Sequence, residues 1–245
     1  MATDATTKDA LINEAKKVAS CAAIDAHVTP ETKVIGIGSG STIVYCVERL
    51  QSRVAQGGLN VRACIPTSFQ ARQLIIEAGL PLGELNQFPV VDVAFDGADE
   101  VDAKLNLLKG GGACMLQEKL VAANAKKFVV VADYRKRSKR LGDGWKQGVP
   151  IEVVPLAYVP IMQCLRSLGG NPILRMAVKK AGPVVTDNGN FVIDCDFGVI
   201  DNPHALELSL VQIPGLIVSG LFTNMAEKAY FGMQDGTTTS QDKAS

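Results

Sequence analysis

Histidine is scarce in this chain of 245 residues: His27 and His204 are the only two, and both are expected at the surface. The six cysteines are scattered and include no Cys-x-x-Cys pair, so we expect neither a disulfide framework nor a zinc site. With only two histidines, a catalytic triad that uses histidine and a histidine-rich metal centre are both disfavoured. We therefore expect buried thiols in a reducing cytoplasm and no metal.

Net charge is also absent, because 25 Lys and Arg residues balance 25 Asp and Glu residues. A neutral chain offers no general reason to bind nucleic acid. A basic run at 135–140 lacks interleaved aromatic residues, which favours one or two phosphate contacts over nucleic-acid binding. No apolar run approaches the ~20 residues of a membrane helix, and the first residues lack the pattern of a secretory signal. We expect a cytoplasmic protein without a nucleic-acid or membrane partner.

Apolar strands alternate with helical stripes along the first part of the chain, which predicts βαβ units and a parallel sheet. Strands are predicted over 33–38, 61–65, 90–96 and 127–133, and helices over 8–26, 41–54, 68–79 and 115–125. Beyond residue 145 the pattern changes to that of a smaller α+β unit. We expect a large domain over 1–145 and 216–245, a small domain over 146–215, and a polar, frayed tail over 236–245.

A glycine-rich turn, Gly36-Ile37-Gly38-Ser39-Gly40-Ser41-Thr42, follows the first predicted strand and opens a helix. Glycines let the backbone approach a ligand, and hydroxyl and amide groups can bind phosphate. One alternative is a dinucleotide fingerprint. It would need glycine in place of Ser41 and an acid where Pro66-Thr67-Ser68 ends the next strand. The other alternative is a turn that binds nothing.

Acidic residues begin where the third predicted strand ends, in the sequence Asp96-Gly97-Ala98-Asp99-Glu100. Ligands of open α/β sheets bind at the carboxyl ends of the strands. Asp96 and Asp99 could bind a cation, position sugar hydroxyls or exchange protons. A plain turn is an equal alternative, because Asp and Gly are common in turns. Metal binding is disfavoured, since two acids hold magnesium weakly without a substrate phosphate.

The same crossover also contains a lysine, a glycine run and a glutamate. Lys109 precedes three glycines, and Glu118 lies inside the next predicted helix. Leu116, Leu120 and Ala123 form the predicted apolar stripe of that helix, which places Glu118 off the stripe. A carboxylate in a cleft can act as a general base, and an ammonium can stabilise negative charge on oxygen. The combination indicates proton transfer on a small anionic molecule.

The motifs, taken in order, closely resemble those of the type A ribose-5-phosphate isomerases. The likeness covers almost the whole chain, in GIGSGST, CIPTSFQARQL, DGADEVD, KGGGACMLQEK, ADYRK, GPVVTDNGNFV and IPGLIVSGLF. It implies a Rossmann-like parallel-sheet domain and a smaller, ferredoxin-like α+β domain, without metal or organic cofactor. It also implies interconversion of ribose 5-phosphate and ribulose 5-phosphate in the non-oxidative pentose phosphate pathway, by a homo-oligomer that is a dimer or a tetramer.

The resemblance further implies roles for individual residues. Glu118 matches the general base, and Asp96, Asp99 and Lys109 match the other catalytic positions. The substrate- and phosphate-binding positions are Lys16, Ser39, Gly40, Ser41, Thr42, Gly97, Ala98, Gly110, Gly111, Gly112 and Lys136.

Two other classes of protein remain as alternatives. A sugar-phosphate-sensing effector domain would carry a helix-turn-helix and a basic face, and the sequence indicates neither. An amino-sugar phosphate deaminase or a coenzyme A transferase has a related architecture. The scarcity of histidine argues against the deaminase, and the phosphate-binding hydroxyls with the Asp96–Glu100 sequence argue against the transferase.

Overall fold

A computed structural model describes the backbone of residues 2–243 and the side chains of residues 8–243. The described chain divides into two compact units. The first contains the residues up to Gly97, then Gln117–Arg135 and the residues from Met225 onward. The second contains Ala98–Leu116 and Lys136–Asn224. Within the described residues, no helix is both long and apolar enough to cross a membrane.

The helices and strands are numbered along the chain. The helices of the described residues are α1 (Ala2–His27), α2 (Ile43–Ala55), α3 (Phe69–Glu77), α4 (Met115–Ala123), α5 (Tyr158–Ser167) and α6 (Pro203–Leu210). The strands are β1 (Val34–Ile37), β2 (Ala63–Pro66), β3 (Val93–Asp96), β4 (Glu100–Val101), β5 (Leu107–Leu108), β6 (Phe128–Asp133), β7 (Val149–Val153), β8 (Asn171–Leu174), β9 (Phe191–Asp196), β10 (Leu216–Ser219), β11 (Leu221–Phe222), β12 (Lys228–Gly232) and β13 (Thr238–Asp242).

The first unit contains a sheet in the order β13-β12-β6-β3-β1-β2. All of its strand pairs are parallel except β12–β13. Every residue of β1, β3 and β6 is buried, as expected where helices cover both faces of a parallel sheet. The parallel sheet predicted from the alternating pattern is therefore confirmed. The chain adds β2 on one side of β1 and β3 on the other side, so the order of the strands reverses between β1 and β3. Such switch points form ligand crevices in open α/β sheets.

The second unit contains an antiparallel sheet in the order β10-β7-β9-β8. Its elements follow one another as β7-α5-β8-β9-α6-β10. This is the sequence of a ferredoxin-like unit, so the predicted smaller α+β unit is confirmed. Ile151 and Ile193 from the sheet pack with Ile161 and Leu165 of α5 in its core. A second, three-stranded sheet in the order β11-β5-β4 belongs to the same unit.

The end of the chain returns to the first sheet, where β12 pairs in parallel with β6. The predicted fraying of the tail is wrong for Thr238–Asp242, which form β13 and pair antiparallel with β12. Asp235 Oδ1 accepts hydrogen bonds from the N–H and the hydroxyl of Thr237, at 3.0 and 2.6 Å, and so fixes the turn. Polar side chains suit an exposed edge strand, because the backbone supplies the pairing. Residues 244–245 lie outside the described residues.

Candidate active site

In the first unit, the turn after β1 contacts the end of β3. Asp96 Oδ1 accepts hydrogen bonds from the N–H groups of Ser39, at 3.0 Å, and Gly97, at 2.7 Å. A side chain at Gly38 would collide with the Asp96 carboxylate, so only glycine allows this approach. Asp96 is 2% exposed. The acid predicted at the end of the third strand is therefore fixed against the glycine-rich turn, at the switch point of the sheet.

A cluster of hydroxyl groups connects this turn to the end of β2. Ser39 Oγ lies 2.8 Å from Thr67 Oγ1 and donates to Ser68 Oγ at 2.7 Å. Ser68 also accepts a hydrogen bond from the Ala71 N–H at the start of α3. Thr67 and Ser68 were not among the predicted site residues. Their hydroxyl groups, at the end of the second predicted parallel strand, could have indicated that they support the glycine-rich turn.

Lys16 and Ser41 lie together in the first unit. Lys16 Nζ, on α1, donates to Ser41 Oγ at 3.0 Å. Ser20, one turn further along α1, donates its hydroxyl to the carbonyl of Thr42 at 3.2 Å. Thr42 immediately precedes α2. An ammonium and two hydroxyl residues at the start of a helix offer the donors that a phosphate requires.

Glu118 lies on the buried face of α4 and is 6% exposed. Met115, Val121 and Ala122 share that face, whereas Leu120 is 47% exposed. The predicted apolar stripe of this helix was therefore wrong, because it was read one position out of phase. At Gly36, a side chain would lie 2.6 Å from Val121 Cγ1. The absence of a side chain there lets α4 pack closely on β1 and carries Glu118 inward.

In the second unit, Asp99 and Lys109 flank the pairing of β4 with β5. The Asp99 N–H donates to the Leu108 carbonyl and the Lys109 N–H to the Gly220 carbonyl, both at 2.8 Å. Lys109 is 3% exposed, and its ammonium lies 5.5 Å from the ring centroid of Phe222, a cation–π distance. The pairing thus presents a buried cation and an acid at neighbouring strand ends.

Asp99 also holds the glycine run that follows Lys109. Its Oδ2 accepts a hydrogen bond from the Gly111 N–H at 2.7 Å. A side chain at Gly111 would lie 2.7 Å from Asp99 Oδ1. The resemblance implied a substrate-binding position at Gly111, and its N–H is bonded to Asp99 within the protein.

The basic run at 135–140 makes separate contacts rather than one continuous basic face. In the first unit, Asp133 accepts hydrogen bonds from Arg135 Nε at 2.6 Å and Nη2 at 3.0 Å. This hydrogen bonding raises the pKa of Arg135. In the second unit, Lys136 Nζ lies 5.4 Å from the ring centroid of Trp145. Arg140 pairs with Asp201 at 2.9 Å.

Glu100 organises the segment that follows Lys136. Its buried carboxylate accepts hydrogen bonds from the Ser138 hydroxyl at 2.5 Å and from the N–H groups of Gly142 at 2.6 Å and Gly144 at 2.5 Å. Glu100 was predicted only as the last residue of the acidic sequence Asp96–Glu100. No local pattern indicates that its partners lie some forty residues further along.

Neither histidine belongs to the set of predicted site residues. His27 Nε2 lies 3.1 Å from the Tyr230 hydroxyl, and His204 Nδ1 lies 3.1 Å from Thr223 Oγ1. Burial lowers the pKa of His27. Among the residues described, no three His, Cys, Asp or Glu side chains form a group that could hold a metal ion.

Residues 63–236 match the family model of ribose 5-phosphate isomerase A, or phosphoriboisomerase A. The chain belongs to this family. A ribose-5-phosphate isomerase of Sus scrofa is 56% identical over 231 residues, which cover 94% of this chain and 75% of that protein. One from Candida albicans is 54% identical over 233 residues, covering 93% of this chain and 96% of that protein.

A solved structure of a D-ribose-5-phosphate isomerase in complex with phospho-erythronic acid is 40% identical to the chain, with a TM-score of 0.87. The match covers 93% of this chain and 97% of that chain. Membership of the ribose 5-phosphate isomerase A family identifies the chain as an enzyme, an isomerase. It also answers the question that the sequence left open between this activity and the sensor, deaminase or transferase alternatives.

The predicted site residues of this isomerase occur in both units. Those of the first unit are Lys16, Ser39, Gly40, Ser41, Thr42, Asp96, Gly97 and Glu118. Those of the second unit are Ala98, Asp99, Lys109, Gly110, Gly111, Gly112 and Lys136. The first set combines two buried carboxylates with the Lys16–Ser41 donors, and the second combines a buried ammonium with a carboxylate that binds the glycine run.

Proposed function

We propose that this isomerase interconverts ribose 5-phosphate and ribulose 5-phosphate in the non-oxidative pentose phosphate pathway, in the cytoplasm. Its family supports the substrate, and the complex of a 40% identical relative with phospho-erythronic acid supports a phosphorylated sugar. The observation that carries the mechanism is the burial of Glu118 on the inward face of α4. A buried carboxylate on a helix that directly follows a glycine run suits proton transfer at a small anionic substrate.

The reaction moves one proton between neighbouring carbons. In the proposed mechanism, Glu118 removes the proton from C2 of the open-chain aldose while the C1 carbonyl oxygen gains a proton. Return of the carbon-bound proton to C1, with loss of the hydroxyl proton at C2, leaves the carbonyl at C2. Substrate and product are isomers, so the overall reaction consumes neither oxidant nor reductant.

Three further residues complete the proposed chemistry. The Lys109 ammonium stabilises the negative charge that develops on the substrate oxygen, where a buried cation acts more strongly than one in water. Asp96 assists opening of the sugar ring. Asp99 lies near the sugar hydroxyls and also holds the Gly111 N–H.

We assign the substrate phosphate to Lys16, Ser41, Thr42 and Lys136. The 3.0 Å contact between Lys16 Nζ and Ser41 Oγ supports part of this assignment. A phosphate held at one end of the sugar orients the reacting carbons at the other end and contributes binding energy to catalysis. Because Ser39 bonds to Thr67 and Ser68, we assign it to support of the turn.

An assay of the pure protein tests the proposed reaction. We expect ribose 5-phosphate to yield a ketopentose phosphate, detected by chromatography against a ribulose 5-phosphate standard. An amino-sugar phosphate incubated in parallel should release no ammonia. Binding of ribose 5-phosphate without turnover, or turnover of the amino sugar alone, would contradict the proposal.

Replacing Lys136 by Ala should act mainly on substrate affinity. A charge-assisted hydrogen bond to phosphate contributes about 1.5–3 kcal/mol, which corresponds to a rise of roughly one to two decades in KM. Inorganic phosphate should inhibit the variant less than the wild type. Lys139→Ala is the matched control, because Lys139 is exposed in the same basic run. Equal phosphate inhibition constants for wild type and Lys136→Ala would remove Lys136 from the phosphate site.

We propose a homo-oligomer with a dimer as its smallest form. In the second unit, large apolar side chains are exposed in and after the edge strand β8: Ile173 by 62%, Met176 by 57% and Val178 by 97%. Such a concentration of apolar surface supports a protein contact, and two-fold pairing is the commonest arrangement. Light scattering at micromolar concentration should give at least twice the 26.0 kDa chain mass. A single sharp monomer mass would contradict the proposal.

A further inference from the structure

Arg175 binds the backbone of the glycine run between Lys109 and α4. It lies directly after β8, and its Nη1 donates to the carbonyl oxygens of Gly110, at 3.0 Å, and Gly111, at 3.1 Å. All of these residues belong to the second unit. One guanidinium therefore holds two successive peptide groups of the segment that joins a proposed catalytic lysine to the helix of the proposed base.

Asp194 orients the Arg175 side chain. The Asp194 carboxylate accepts hydrogen bonds from Arg175 Nε at 2.8 Å and from Nη2 at 2.5 Å. The side chains of the pair are only 14% and 17% exposed. Asp194 lies on β9 opposite Ile173 of β8, and the Arg175 N–H donates to the carbonyl of Val192 on β9 at 2.8 Å, so the sheet fixes both partners. This two-point contact leaves Nη1 directed at the glycine run, a geometry that the fork of arginine allows and the single ammonium of lysine does not.

Both the carbonyl groups and an N–H group of the glycine run are hydrogen-bonded to charged side chains. Arg175 binds its carbonyl groups, and Asp99 accepts the Gly111 N–H at 2.7 Å. Its backbone is unusual, since Gly110 has φ +99° and Ala113 has φ +60°. A non-glycine residue in this left-handed region persists only where surrounding contacts impose it. Arg175 and Asp99 fix Gly110 and Gly111, and the Gly110 carbonyl also accepts a hydrogen bond from the Ala113 N–H at 3.0 Å, which links Ala113 to the fixed residues.

We propose that Arg175 is a positioning residue of the isomerase, which fixes the glycine run so that Lys109 and Asp99 keep their reactive arrangement. The inference rests on the function proposed above. Displacement of a catalytic group by about 1 Å can lower a rate by roughly 100-fold, although the displaced group is still present. Loss of the guanidinium should therefore affect the chemical step. Phosphate binding by Lys16 and Ser41, which lie in the other unit, should be unaffected.

Arg175→Met retains most of the side-chain length and removes the guanidinium. We expect kcat to fall by about 10- to 100-fold, with the inhibition constant of inorganic phosphate unchanged. Arg175→Lys retains a cation beside Asp194 but cannot bind the carboxylate at two points and the two carbonyls as well, so it should restore little of the lost kcat. Arg166→Met, an exposed arginine on α5, is the matched control and should behave as wild type.

Asp194→Asn separates the contact with the glycine run from the ion pair. This variant keeps the guanidinium and one side-chain acceptor for it, so Arg175 can still reach the two carbonyls and the loss of kcat should be no larger than that of Arg175→Met. A larger loss in Asp194→Asn than in Arg175→Met would show that the ion pair supports the fold rather than the glycine run, and would overturn the proposal. So would a folded Arg175→Met or Arg175→Lys protein whose kcat lies within about twofold of wild type.

Hydrogen–deuterium exchange of the free protein gives a result that does not depend on the substrate. Arg175→Met should speed exchange at the amides of 109–114 and leave those of 39–42 unchanged. Unchanged exchange at 109–114 would overturn the proposal even if kcat fell. A wild-type protein that fails to isomerise ribose 5-phosphate would contradict the proposed function instead, so the two failures are distinguishable.

Discussion

Glu118→Gln is expected to lower turnover by about 100- to 10,000-fold, because an amide cannot accept the proton that a carboxylate base removes. Gln has nearly the same shape as Glu, so the buried face of α4 keeps its packing. Substrate binding should stay near the wild-type value. Steady-state kinetics should therefore show a loss confined to kcat, and the thermal unfolding temperature should change little.

The matched control for this variant is Glu77→Gln, which makes the same chemical change at an exposed position of α3. Its kcat should equal that of the wild type. A folded Glu118→Gln protein that keeps more than roughly a tenth of wild-type turnover would remove Glu118 from the role of base. Loss of folding in Glu118→Gln but not in Glu77→Gln would point to a structural role instead.

Lys109→Met is expected to lower kcat by about 100- to 1,000-fold, the effect of removing one preorganised group that stabilises a developing oxyanion. Met retains an apolar side chain of similar length and removes the ammonium that lies 5.5 Å from the Phe222 ring centroid. Because that ammonium acts on charge that appears during the reaction, KM should change less than kcat.

Lys104→Met, at an exposed position between β4 and β5, controls for the loss of a positive charge in the same unit. It should leave both kinetic constants unchanged. If Lys109→Met instead raises KM and leaves kcat near wild type, Lys109 contributes uniform substrate binding, and stabilisation of the oxyanion must come from another group.

Local patterns predicted the strands β1, β2, β3 and β6, the helices α1 to α4 and the residue types at the strand ends, but not β4, β5 or β13. The run of β-branched residues before Asp96 indicated a buried strand, and the acid at its end was found there. The order of strands needs long-range pairing that no local pattern contains. The sequence therefore could not place Ser39 against Asp96 at the switch point, although it named both residues.

Other features depend on contacts between distant segments. Glu118 was predicted to lie off the apolar stripe of its helix, because Leu116, Leu120 and Ala123 were taken as that stripe. Because Val121 packs against Gly36, the face of α4 that contains Glu118 is buried and Leu120 is exposed. The contacts of Glu100 with Ser138 and of Arg175 with Gly110 join parts of the chain that only tertiary structure brings together. The tail was predicted to be frayed because it is polar, but backbone pairing of β13 with β12 orders Thr238–Asp242 without apolar side chains.

Incubation of the wild-type enzyme with ribose 5-phosphate in D₂O, followed by NMR, tests the central claim most directly. Transfer through an enzyme carboxylate lets the proton exchange with solvent during some turnovers. Deuterium should therefore accumulate at C2 of ribose 5-phosphate and C1 of ribulose 5-phosphate while the two sugars interconvert. Interconversion over many turnovers without any deuterium at these carbons would mean hydride transfer within the sugar. That result, or no interconversion at all, would contradict the proposed role of Glu118 as the base.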